Sequence, residues 1–187
     1  MIEAVCKNLS IRVMVLIRPR AGDFLYSANE LQVMANDIIN AKTLGAAGVV
    51  VGVLSREGSI DVDAMALLIK AAGNLQVTFH RAIDMAADPV AATRECAGLG
   101  VTRILSSGGR ETVLAGRETL KQMVIACAGS SLRIMAGGGL TPDNASLLLQ
   151  HSGVHELHCS ARGRPTPSQM VCLTCNVTAL SHLLPPL

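Results

Sequence analysis

Short apolar runs alternate with longer stretches of helical periodicity along this chain, at a repeat of roughly 25 to 30 residues. The runs Arg12–Arg18, Gly48–Leu54, Gln76–Arg81, Arg103–Ser107, Leu132–Gly137 and Glu156–Ala161 are short, rich in β-branched residues and almost continuously apolar. That pattern predicts strands of a parallel sheet covered by helices.

The intervening segments carry helix signals. Ser27-Ala28-Asn29-Glu30 has capping-box spacing, and Leu31, Met34, Ala35, Ile38, Ala41 and Leu44 then recur at helical intervals before Gly45. Asp61 opens a second helix that runs to about Gly73. Asp88-Pro89 pairs an N-cap with proline at the first helical position. A helix is predicted from about Glu111 to Cys127, and another between Thr141-Pro142-Asp143 and Gly153. Met1 to Leu9 reads as the tail of a helix.

Strand–helix alternation at this spacing implies βαβ units and a parallel sheet. Polar residues follow nearly every strand, whereas a doubly wound sheet gathers its site at one switch point. The predicted fold class is therefore α/β, a (β/α) TIM-type barrel, incomplete, with about six of the eight strands present. The barrel domain is expected over residues 1–162. Residues 163–187 carry four prolines and no acidic residue, and are expected to form a divergent tail without regular structure, which marks the chain as a truncated form.

Composition narrows the function. The 187 residues are 50% hydrophobic with no Trp, one Tyr and two Phe, and the net charge is +2. Dispersed basic residues with almost no aromatics exclude nucleic acid as an expected partner. No apolar run approaches the roughly 20 residues of a membrane helix, and Met1–Lys7 lacks signal-peptide character, so a cytosolic chain is expected. Of six cysteines, only Cys172 and Cys175 form a CxxC, the spacing of a soft-metal thiolate pair.

Chemistry in a parallel barrel belongs to the loops after the strand C-termini. Arg18, Arg20, Asp23 and Tyr26 follow the first strand, and His80-Arg81 and Asp84 the third. Ser106-Ser107-Gly108-Gly109 and Gly137-Gly138-Gly139 follow the next two, and the last strand holds His158 and Ser160 ahead of Arg162. Alternation turns Met14, Leu16, Arg18, Thr78, His80, His158 and Ser160 inward, and Val77, Phe79, Leu157 and Cys159 outward. The glycine turn before a helix start at Thr141 suits an anion. Arg18, Arg20, Arg81, Arg162 and Gly137–Gly139 are the anion-binding candidates, although such arginines also pair with carboxylates such as Asp23 or Asp84. His80 and His158 are candidates for general acid/base work or metal ligation, without a motif that fixes a reaction.

Four stretches, Ile17–Ser27, Val77–Met85, Arg103–Gly108 and Glu156–Arg162, resemble in order and spacing the signature segments of the CutC copper homeostasis proteins. The resemblance covers roughly residues 1–162. It implies a (β/α) barrel, a copper ion as cofactor or partner in the Cu(I) state, self-association, and a cytoplasmic location that extends to the nucleus in animal members. Family members carry two further strands before the position of Met1, and the cysteines proposed as Cu(I) ligands in animal members lie there, so no ligand set transfers. The alternative is an enzyme, or former enzyme, that binds a small phosphate- or carboxylate-bearing metabolite at the rim.

Overall fold

A computed structural model describes residues 1–159. Six parallel strands, β1 (Met14–Leu16), β2 (Gly48–Val51), β3 (Gln76–Phe79), β4 (Arg103–Ser106), β5 (Arg133–Gly137) and β6 (Glu156–His158), lie side by side in chain order. Helices α1 (Ile2–Asn8), α2 (Ala28–Thr43), α3 (Val62–Ala72), α4 (Pro89–Gly98), α5 (Arg117–Ala126) and α6 (Pro142–Ser152) alternate with them. The order never reverses. A doubly wound sheet needs a reversal; a barrel wall does not. The expected incomplete barrel is the architecture observed, a curled half-barrel.

Side-chain alternation sets the two faces. Val49, Val51, Val77, Phe79, Ile104, Ile134 and Ala136 point outward and are buried beneath the helices together with Met34, Ile38, Met65, Leu68, Leu120, Met123 and Leu148. The inner face carries an ionic ladder: Glu156 on β6 binds Arg103 on β4 and Arg133 on β5, and Arg103 reaches on to Thr78 Oγ1 at 3.3 Å. Because the wall is open, Leu16 on this concave side is 59% exposed.

Helix starts follow local chemistry. Ser27 and Glu30 make the full capping box of α2, Asp61 accepts from Ala64 N in α3, and Asp88 accepts from Val90 N and Ala91 N ahead of Pro89 in α4. One expectation is corrected. The helix expected from Glu111 starts only at Arg117, because Val113 N donates to Gly138 O and ties the preceding segment to the turn after β5. A 3-10 helix, Arg81–Met85, follows β3 and was not expected as a separate element. Ser160, Ala161, Arg162, Cys172, Cys175 and the expected tail 163–187 lie outside the described residues.

Candidate functional site

The strand C-termini present two adjoining cavities that share Arg81. The smaller, about 230 Å³, is bordered by Arg81, Leu105, Gly137–Gly139 and His158. The larger, about 540 Å³, is bordered by Phe24, Leu54, Ser55, Arg56, Arg81 and Asp84 among others.

Arg81 is held by its own helical turn and by β4. Its Nε donates to Asp84 Oδ2 at 2.7 Å and its Nη2 to Ser107 Oγ at 2.7 Å. The remaining nitrogen, Nη1, faces the glycine turn, 3.4 Å from where a Cβ on Gly138 would stand. Gly138 also has φ of +126°, so a side chain there would be both strained and crowded. No hydrogen bond among the described residues engages the amides of Gly138 or Gly139. Thr141 N donates to Asn144 Oδ1 at 2.9 Å and orders the start of α6 behind the turn. His158 projects from the inner face of β6 against Gly137, and desolvation there holds its pKa below the ordinary imidazole value.

Asp84 organises this corner. Its carboxylate accepts from Arg81 Nε, Ser106 Oγ, Ser107 N and Gly109 N at 2.6 to 3.1 Å, with the side chain 7% exposed. The sequence alone puts Asp84 at the rim after the third strand, as a carboxylate partner for an arginine. Its role as anchor of the loop after β4 depends on contacts across about 25 residues of chain, which no local spacing announces.

His80 occupies the inner end of β3 and is 7% exposed. Ala82 N donates to its Nδ1 at 3.1 Å, so the ring proton of the neutral imidazole sits on Nε2. Nε2 is buried and has no partner. Gly52 leaves the space for the ring, since a Cβ there would stand 2.5 Å from Nδ1 and Cε1. Burial, reinforced by the charge of Arg18, lowers the pKa of His80 to about 4. At neutral pH this is a neutral hydrogen-bond donor, with its basic nitrogen already engaged.

The segment after β1 closes over His80. Phe24 packs on the imidazole with centroids 5.0 Å apart, and the Arg18 guanidinium lies 4.7 Å above the Phe24 ring while Nη2 donates to Gly22 O at 2.8 Å. Arg20 is engaged differently. It pairs with Glu30 at 2.5 Å and Asp23 at 2.8 Å, donates to loop carbonyls and stacks on Tyr26. The Ser27 amide, followed by Arg20, pulls the Glu30 carboxyl down to about 2, and Arg20 holds the Asp23 carboxyl below its ordinary value. Of the arginines singled out from the sequence, Arg81 keeps Nη1 turned to the glycine turn, Arg18 makes no ion pair among the described residues, and Arg20 is paired with two carboxylates. Arg162 lies outside the described residues.

A soft-metal site is a different matter. Among the described residues no three His, Cys, Asp or Glu side chains are grouped to hold an ion. Cys96 is buried with its thiol pushed up to about 12, and burial also raises Cys127. These residues do not fit a Cu(I) centre, which needs accessible thiolates.

Comparison with known proteins agrees with this fold. The CutC family model matches residues 1–163. A family protein CutC of Xanthomonas axonopodis pv. citri is 46% identical over 162 residues, 87% of this chain, and the chain spans about two thirds (67%) of that relative's length. A crystal structure of a CutC protein of Streptococcus agalactiae, proposed in its name to act in copper homeostasis, superposes with a TM-score of 0.79 at 34% identity, covering 84% of this chain and 78% of that one. A protein of Coccidioides immitis, named as a proposed deoxyribose-phosphate aldolase, shares the fold at a TM-score of 0.65 and 16% identity over 86% of this chain and 66% of its own. Both the unreversed parallel wall and the match through residue 163 lead to one conclusion: the chain belongs to the CutC family.

Proposed function

We propose that the chain serves intracellular copper homeostasis, in the cytoplasm, as a CutC-family protein. The family match across residues 1–163 carries this reading. Since the described residues offer no cluster for the ion, the thiols of Cys172 and Cys175, outside them, are the first ligands to examine. An anaerobic Cu(I) titration of the whole chain against a chromogenic chelator tests it. The expected result is withdrawal of copper from the chelator beyond what a control protein with six free thiols achieves, reduced by Cys172→Ser with Cys175→Ser. Competition no better than the control contradicts copper binding by this chain.

A second reading rests on one arrangement: Arg81 Nη1 and the turn Gly137–Gly139 face one cleft with His158. A guanidinium, free amides and a helix start behind them suit a small oxyanion on a metabolite. Inorganic phosphate is the simplest probe. It should raise the melting temperature of the wild-type chain and do so less for Arg81→Gln; no stabilisation of either chain contradicts this reading.

A further inference from the structure

We propose that the larger cavity beside Arg81 seats the apolar body of a small phosphate monoester whose phosphate lies at the glycine turn. This rests on the second reading above, that the rim binds small anions, and gives that anion its organic part.

Size is the first argument. The cleft at Gly137–Gly139 measures about 230 Å³, below the roughly 300–1,000 Å³ of pockets that enclose a whole small ligand. The cavity next to it measures about 540 Å³ and falls inside that range. Arg81 borders both. Its Nε is tied to Asp84, which borders the larger cavity, while its Nη1 lies toward Gly138 in the smaller one. One guanidinium thus stands where the two spaces meet, and a group held at Nη1 can carry a substituent into the larger.

The wall decides what that substituent is. Phe24, Leu25, Leu54 and Met85 border the larger cavity. Leu25 is 38% exposed and Met85 70% exposed. They come from different segments, the loop after β1 and the 3-10 helix after β3. A lone exposed apolar side chain is ordinary, but two from separate segments at one cavity, beside a partly buried phenylalanine, mark a place for apolar contact. Charge narrows the class further. The carboxylates at this cavity are already paired, Asp23 with Arg20 and Asp84 with Arg81, whereas Arg56 makes no ion pair among the described residues. An uncompensated cation here disfavours a substituent that bears an amine. The geometry therefore fits an uncharged ring or short hydrocarbon chain carried on a phosphate.

Calorimetric titration of the whole 187-residue chain at pH 7 with inorganic phosphate, phenyl phosphate and O-phosphoethanolamine tests this. Phenyl phosphate should bind about tenfold tighter than inorganic phosphate, because a ring brings a large apolar surface, and O-phosphoethanolamine should bind no tighter than inorganic phosphate. Leu25→Ser with Met85→Ser, both at exposed positions, should remove most of the phenyl advantage, and Arg81→Gln should weaken both phosphates. Equal affinity for phenyl and inorganic phosphate would overturn the assignment of the larger cavity and leave the rim reading standing. So would a full phenyl advantage in the double variant, or the same gain for O-phosphoethanolamine. Absence of binding by all three compounds would overturn the rim reading as well. The wild-type comparison decides the question even if the double variant does not fold.

Discussion

At the scale of single residues, His80 and Asp84 show how burial converts ordinary side chains into fixed parts. The folded chain holds His80 neutral down to about pH 4, against 6.5 for an exposed imidazole. The unfolded chain therefore binds the extra proton first, and stability falls as pH drops from about 6.5 toward 4. A difference of that size corresponds to roughly 3 kcal/mol. Urea unfolding at pH 7 and pH 4.5 should show the loss, and His80→Phe, which removes the titrating group, should flatten the slope in that window. Asp84→Ala should cost about 3 kcal/mol or more, because Ser106 Oγ and the amides of Ser107 and Gly109 lose their acceptor inside the fold. It should also free Arg81 to turn away from the glycine turn. Urea midpoints and phosphate affinity, measured on the same variant, check both consequences. His80 was legible in the sequence as an inward residue by alternation along β3. Its fixed tautomer was not, since that depends on the 3-10 turn starting at Arg81.

At the scale of elements, caps were the most readable feature. Ser27 and Glu30 close the capping box of α2, so Ser27→Ala should lower stability by about 1 kcal/mol, measured as a shift in the urea midpoint. Asp61 and Asp88 cap α3 and α4 at the positions their spacing announced. Such signals are local, and a sequence carries local chemistry openly. The start of α5 failed to show itself for the opposite reason: Val113 is drawn to Gly138 by a hydrogen bond from another part of the fold. The ladder from Thr78 through Arg103 to Glu156 was equally hidden, because its members sit on three strands. Read singly, Arg103 and Glu156 look like strand boundaries. Together they pair on the concave face and link β4 to β6 across β5.

At the scale of the whole molecule, six parallel strands in unbroken order point their C-termini the same way, which is why residues as distant in sequence as Arg81, Gly138 and His158 border one cleft. Among the described residues, β1 and β6 each have a neighbour on one side only. Unpaired edges and the exposed Leu16 favour association. Size-exclusion chromatography with light scattering should show mass rising with protein concentration; a constant monomer mass would contradict this. The architecture and the identity of the rim residues were legible in the sequence because repeat length and alternation are periodic properties. Which arginines remain available was not, because Arg20 is matched by Glu30 and Asp23 only once the loop has folded. The central proposal at this scale is that small anions settle at the rim. Amide spectra of the labelled chain, recorded as inorganic phosphate is added, address that directly. The predicted result is saturable shifts at Gly138, Gly139 and the Arg81 side chain; shifts confined to Arg103, Arg133 and Glu156, or none at all, would contradict it.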